Sequence, residues 1–302
     1  MSGGVTGGRQ DPQPDSESVP RCYRHTDRET YISCQRCGRP ICPDCMRQAS
    51  VGFQCPECVA QGRSSTPQAR TAYGGSLRGS DNTVTLILIG INAAAFLLIQ
   101  ITGGRASQLV LETALINGQL PSSFGPLGQG VADGELWRLV TSMFVHVDLL
   151  HLFFNMFALW IFGPGLERLL GWGRFLALYL LSGLTGSVAV YWLSGAATLT
   201  YGASGAVFGL LGAALVMSVR RGYDVSWLLG LLGINLVFTF LVPNISWQGH
   251  LGGLLGGLAL GAALAWAPRR LRTPLHAAAF VGVFVLCALL IVVRTAQLAP
   301  LL

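Results

Sequence analysis

Polar positions dominate the chain to about residue 80, and beyond that point long apolar stretches alternate with short polar breaks. The stretches fall at about 83–102, 148–163, 174–194, 202–219, 225–242, 248–267 and 275–293, and each predicts a helix. A run of about 20 apolar residues, rising about 1.5 Å per residue, covers a hydrocarbon core of about 30 Å. Gly103-Gly104 ends the first stretch, Glu167, Arg168 and Gly171 form a short charged turn after the second, and a polar break from Gly195 to Thr200 precedes the fourth. Arg220-Arg221 closes the fourth, Pro243-Asn244 reads as a turn, and Arg269, Arg270 and Arg272 follow the sixth. Residues 105–136 are too polar to span and too long for a simple turn. The pattern predicts an all-α polytopic membrane body over 81–302, carried behind a small polar head.

Composition sharpens this division. Hydrophobic residues make up 51% of the chain, charged residues 11%, and the mean hydropathy is +0.52, whereas a soluble domain carries about 25% charged residues. The net charge of +6 is supplied by arginine alone, since the chain has no lysine. The arginines are scattered rather than clustered, so no nucleic-acid partner is expected, and membrane topology accounts for them better. Arg168, Arg174, Arg220, Arg221, Arg269, Arg270 and Arg272 follow the even-numbered stretches, and only Arg105, Arg138 and Arg294 fall on the other side. Positive charge marks the cytoplasmic face. The expectation is a multi-pass protein of the cell membrane with its head in the cytoplasm. No basic n-region leads into an early apolar run, so no cleavable signal peptide is expected.

Residues 1–20 offer almost nothing to bury and are expected to be disordered, and 61–80, rich in Gly, Ser, Thr, Gln and Arg, reads as a flexible linker. Between them, at 21–60, Cys22-x2-His25, Cys34-x2-Cys37, Cys42-x2-Cys45 and Cys55-x2-Cys58 give four ligand pairs. Two side chains at this spacing reach one tetrahedral ion, and eight ligands suit two Zn²⁺ ions. A disulfide scaffold is the competing reading, but CxxC pairs with a histidine and a reducing compartment favour metal. So short a segment has little core of its own, so its folding should depend on the ions. Both ions would be fully ligated, which makes the head structural or adaptor-like, with a cytoplasmic protein as its partner.

Several polar residues interrupt the apolar stretches. His151 and Asn155 are four apart and share one helix face in the second; such a pair is costly in lipid unless it faces partners. Ser204 stands between small residues in Tyr201-Gly202-Ala203-Ser204-Gly205, at the start of the fourth stretch, and His250 opens the glycine-rich sixth. Stretches four and six run in the same direction, so Ser204 and His250 lie at similar depth on one side, and His151 shares that side. A hydroxyl becomes a useful nucleophile only with a base beside it. His146 and Asp148, at the boundary, need no special role, while His276 reads as interfacial and Cys287 as a packing residue. Trp137-Arg138 fits either a headgroup-level anchor or a structural role in the long loop.

The head resembles B-box-like, cross-braced zinc fingers. That resemblance implies one ion on Cys22, His25, Cys42 and Cys45 and another on Cys34, Cys37, Cys55 and Cys58; spacing alone leaves a sequential pairing open. Over roughly 80–302 the chain resembles rhomboid intramembrane serine proteases, through Gly202-Ala203-Ser204-Gly205, His250-x2-Gly253-x3-Gly257, His151-x3-Asn155 and Trp137-Arg138. The resemblance implies a six-helix core with a seventh helix added. It further implies a Ser204/His250 dyad without a third carboxylate and an oxyanion site formed by His151, Asn155 and the Ser204 backbone N–H. No cofactor is needed for catalysis. Phe208 stands where the family often has a tyrosine stacked on the histidine, and the ring should still stack. The substrates implied are single-span membrane proteins cleaved near the outer membrane boundary, with the bilayer as surroundings.

Two other classes compete with the enzyme. A catalytically inactive rhomboid-like adaptor would bind transmembrane segments and recruit partners through the head, but known proteins of that kind lack the serine or the histidine. A transporter would also place polar groups in its spans, yet no inverted repeat is visible.

Overall fold

The computed structural model describes residues 19–65, 70–76, 82–118, 120, 129–243 and 245–298. Apart from 19 and 20, the tail expected to be disordered lies outside the described residues. The chain divides into two compact units, 1–68 and 69–302.

In the first unit, loops closed by the bridges Arg21↔Glu29 and Ser33↔Pro40 lead through a 3-10 turn, Pro43–Cys45, into the hairpin β1 (Arg47–Gln48) and β2 (Phe53–Gln54). Helix α1 (Pro56–Ser65) follows. The buried core is Ile41 and six of the cysteines. An interior this small cannot repay the ordering of some forty residues by apolar burial alone.

The second unit is helical. Helix α2 (Thr83–Ile101) is followed by a long connection containing α3 (Gln108–Thr113), β3 (Leu115–Ile116) and α4 (Arg138–Thr141). Then come α5 (Leu149–Leu170), α6 (Trp172–Leu193), β4 (Leu199–Thr200) and α7 (Ser204–Arg220). The unit ends with α8 (Ser226–Leu241), α9 (Trp247–Trp266) and α10 (Arg272–Leu298). Helices α2, α5, α6 and α9 and the stretch Arg269–Leu298 are long and apolar enough to cross a membrane, while α7 and α8 are shorter apolar helices.

Helices α6, α7 and α9 pack mutually at the centre. Their register follows from glycine. A Cβ on Gly253 would lie 1.9 Å from the Gly205 carbonyl oxygen, one on Gly257 1.9 Å from that of Gly209, and one on Gly261 2.8 Å from the Ala213 Cα. Each step of one turn on α9 matches a step of one turn on α7 in the same sense, so the two helices run parallel in backbone contact. Gly252 and Gly256 of the next face meet Ala189 and Thr185 of α6, where the order is reversed and the packing antiparallel. Small residues at spacing four allow this approach in lipid, where dispersion contacts replace the hydrophobic drive.

The structure departs from the sequence reading at several places. The charged turn expected at Glu167 is helical, because α5 continues through Pro164 to Leu170. Glu167 is 3% exposed and accepts from the backbone N–H of Val84 and Thr85, both at 2.9 Å, and from the Thr85 hydroxyl at 2.8 Å. A carboxylate there satisfies N–H groups that the start of α2 leaves unpaired, and it faces the positive end of the helix dipole. The stretch read as a flexible linker is structured at both described ends. It begins inside α1, and 70–76 form a turn whose Tyr73 is buried in the body's core. Arg272 donates to the Ala72 carbonyl at 2.6 Å and lies over the Tyr73 ring; Gly75, where a Cβ would meet the Leu170 oxygen at 1.9 Å, permits the approach. Residues 66–69 and 77–81 lie outside the described residues.

His276 is buried rather than interfacial, with Nε2 3.2 Å from the Leu264 carbonyl oxygen. Cys287 packs in an apolar cluster with Leu184 and Val188. In the long connection, Arg138 is 1% exposed, pairs with Glu135 at 2.5 Å and donates to the carbonyls of Leu111 and, at 2.9 Å, Ala114. Its role is therefore to hold the loop together. Trp137 stays half-exposed and donates from Nε1 to the Glu112 carbonyl at 3.2 Å.

Candidate active site and metal clusters

Ser204 opens α7 and is half-buried, and His250 lies in the first turn of α9, 8% exposed. The seam between these helices sets their relative height. A Cβ on Gly205 would lie 3.2 Å from the Gly249 oxygen, and Gly205 is also the neighbour of Gly253, so the first turn of α7 lies beside the turn of α9 that carries the histidine. Phe208, one turn after the serine, stacks on the His250 ring with centroids 4.2 Å apart and planes 15° from parallel. The stack fixes the imidazole plane without supplying a proton donor of its own. The other edge of the ring meets α8, where Thr239 Oγ1 is 2.7 Å from His250 Nδ1.

The segment before the serine is pinned from two directions. Gly202 N–H donates to the Ser142 carbonyl at 2.9 Å, and Ala203 N–H donates to His146 Nε2 at 3.4 Å. His146 is fully buried, with its ring centroid 4.9 Å from that of His151. It therefore supports the serine loop, a role that its boundary position in the sequence did not suggest. His151 approaches the same segment so closely that a Cβ on Gly202 would lie 2.6 Å from its Cε1 and 2.7 Å from its Nε2. Asn155 is buried and donates from Nδ2 to the His151 carbonyl at 2.9 Å. An amide nitrogen carries two hydrogens, so one remains for another acceptor. The Ser204 N–H belongs to the first turn of a helix, where backbone donors have no intrahelical partner.

In the head, the metal-capable side chains gather as Cys22, His25, Cys42 and Cys45 and as Cys34, Cys37, Cys55 and Cys58, with the ligand atoms of each group within 4.8 Å of one another. First pairs with third and second with fourth, which is the cross-braced grouping and not the sequential one. Tetrahedral bonds of about 2.3 Å would set sulfurs about 3.8 Å apart, and Cys37 and Cys55 Sγ are 3.8 Å apart. His25 Nδ1 lies 3.3, 3.4 and 4.0 Å from the sulfurs of Cys42, Cys45 and Cys22. Burial pushes the thiols of Cys22 and Cys34 up, but backbone N–H groups outweigh it and bring both down to about 6. Those donors are Cys42, Arg24 and His25 for the first and Cys55, Arg36 and Cys37 for the second. Each cluster thus holds a thiol with thiolate character near neutral pH, while burial pushes Cys45 up to about 11 and the hydrogen bond with Cys55 pushes Cys58 up to about 12. Arg39 adds a cation beside the four-cysteine cluster, with Nε 3.3 Å from Cys37 Sγ and an ion pair to Glu57 at 2.5 Å.

A family model described as the Rhomboid domain matches residues 133–267. The chain is 40% identical over 136 residues to the putative rhomboid protease YdcA of Bacillus subtilis, an alignment covering 43% of this chain and 68% of that one. To the rhomboid protease GluP of the same organism it is 39% identical over 187 residues, 60% of this chain and 35% of the relative. To the rhomboid protease GlpG of Pectobacterium atrosepticum it is 30% identical over 199 residues, 63% and 66% of the two chains. The chain thus spans from about a third to two thirds of the length of these relatives. The family-model match includes the serine, the two helices that meet at the glycine seam and the His151 face, and the chain belongs to the rhomboid family.

Proposed function

We propose that this protein is an intramembrane serine endopeptidase that cleaves single-span membrane proteins at or near the outer membrane boundary. The observation that carries this reading is the parallel contact of α7 and α9, which sets the serine turn beside the histidine turn while Phe208 holds the imidazole plane. His250 Nε2 takes the Ser204 proton as Oγ attacks the peptide carbonyl. The proton passes to the leaving amine as the C–N bond breaks, and water then hydrolyses the ester by the same path in reverse. His151, the free hydrogen of Asn155 and the Ser204 N–H hold the oxyanion, each worth on the order of 3 kcal/mol in such sites. The arginine distribution supports an active site opening outward and a head in the cytoplasm. In the head, three cysteines with a histidine and four cysteines, at tetrahedral separations, suit two structural Zn²⁺ ions. The head then serves a cytoplasmic protein partner.

Labelling with a fluorescent fluorophosphonate tests the enzyme reading. The unmodified chain in detergent should label, and Ser204→Ala and His250→Ala should each abolish labelling. If the unmodified chain, folded and monodisperse, takes no label, the adaptor reading replaces the protease.

A further inference from the structure

Helices α8 and α9 contain no aspartate or glutamate, so the group that meets the far side of His250 is of another kind. It is Thr239, 3% exposed, whose Oγ1 lies 2.7 Å from His250 Nδ1 and also 2.7 Å from the Asn235 carbonyl oxygen one turn back on α8. A carbonyl only accepts, so the single hydroxyl hydrogen goes to Asn235, and what the threonine offers the imidazole is a lone pair. A threonine hydroxyl in a helix can bond a carbonyl one turn back, and here that bond to Asn235 holds the oxygen in place. Asn235 is itself tethered, its Nδ2 donating to Leu231 at 2.8 Å. Nδ1 must then carry the hydrogen and Nε2 the lone pair.

Resting on the protease reading for its catalytic meaning, we propose that Thr239 is a positioning residue that fixes His250 in the Nδ1–H tautomer and ties the histidine of α9 to α8. A histidine in that tautomer has its Nε2 ready to accept the serine proton, whereas the Nε2–H tautomer cannot act as base from that atom. The arrangement does by a neutral acceptor what a buried carboxylate does in three-residue sites, where it holds the imidazole in the right tautomer. It also makes the competence of the base depend on where α8 sits, because a displacement of that helix removes the acceptor.

The test uses the full chain in detergent and three variants. Thr239→Val keeps the shape and removes the oxygen, Thr239→Ser keeps the oxygen, and His250→Ala identifies the His250 signals in the ¹⁵N spectrum of histidine-labelled protein. In the unmodified chain, His250 should give the Nδ1–H pattern. Thr239→Val should shift it toward Nε2–H, slow fluorophosphonate labelling about tenfold, the equivalent of ~1.4 kcal/mol, and lower kcat on a transmembrane substrate with KM unchanged. Thr239→Ser should restore both the tautomer and the rate. Thermal unfolding of all variants should match the unmodified chain, which excludes a folding defect as the cause. An Nε2–H pattern in the unmodified chain, or normal labelling by Thr239→Val, overturns the inference while leaving the protease reading standing. If the unmodified chain does not label, the protease reading fails, and the tautomer spectra still decide whether Thr239 sets the state of the ring.

Discussion

At Gly202 the backbone has φ +124°, a conformation that side chains with a Cβ rarely adopt, and the space a Cβ would need is taken by the His151 ring. Two demands meet at one residue, which comes two positions before the serine. Gly202→Ala should push His151 away from the serine turn or shift the turn itself. Misplacements of about 1 Å at reacting groups cost about 100-fold in rate, so the fluorophosphonate labelling rate should fall by about that factor with little change in helix content by circular dichroism. Labelling within twofold of the unmodified rate would show that His151 and the serine turn need not be held together. This glycine was visible in the sequence as part of a small-residue cluster, but its partner was not. The closeness of His151 to Gly202 depends on how α5 enters the body, and no local pattern encodes that. The same is true of His146, whose place at the polar edge of a stretch gave no hint that it would accept from Ala203.

Helix α9 carries its packing in its letters. Glycines at 249, 253, 257 and 261 make one face, and the opposing face of α7 presents Gly205, Gly209 and Ala213. Two helices with matching small residues at spacing four can close to backbone contact, and so the seam could be anticipated from sequence. A larger side chain in it must separate the helices. Gly257→Val would place a Cβ 1.9 Å from the Gly209 carbonyl oxygen, a backbone atom that cannot swing aside. Overpacking of this kind costs about 1–3 kcal/mol, so thermal unfolding in detergent should begin earlier and labelling should be lost with it. Gly233→Val on α8, where nothing lies within 4 Å of the added carbon, should unfold and label like the unmodified chain. Equal behaviour of the two variants would disprove the seam. What the sequence did not reveal is which lone polar residues on other helices turn inward. Thr239 and Asn235 stand four apart on α8, the same signal that drew attention to His151 and Asn155 on α5, but a threonine that bonds its own backbone is common in apolar helices and reads as neutral. Glu167 looked like a turn for a related reason: a carboxylate after an apolar run signals an exit from lipid unless a second helix presents its N-terminus to it, as α2 does.

Two compact units follow one another along the chain, and they are stabilised by different physics. The body rests on glycine-mediated helix contacts and apolar packing, none of which needs a ligand. The head has a core of one isoleucine and six cysteines, too small to stand by apolar burial, whereas a structural zinc site contributes about 10–16 kcal/mol of apparent binding energy at neutral pH. Removing one ligand should therefore unfold the head without touching the body. In Cys34→Ser, bound zinc should drop by at least one ion per chain, because Cys34, Cys37, Cys55 and Cys58 form one of two clusters. It should approach zero if the interleaved strands unfold together, as cross-bracing requires when each ion's ligands straddle those of the other. Limited proteolysis should then cut within residues 21–60, and the unmodified head should resist under the same conditions. Cleavage of a model transmembrane substrate in detergent should stay within about twofold, because the helix contacts that set the serine turn beside the histidine turn lie within the body itself. A parallel loss of cleavage in a body that still unfolds at the usual temperature would mean that the head controls access to the serine, and the two units would have to be treated as one regulated enzyme.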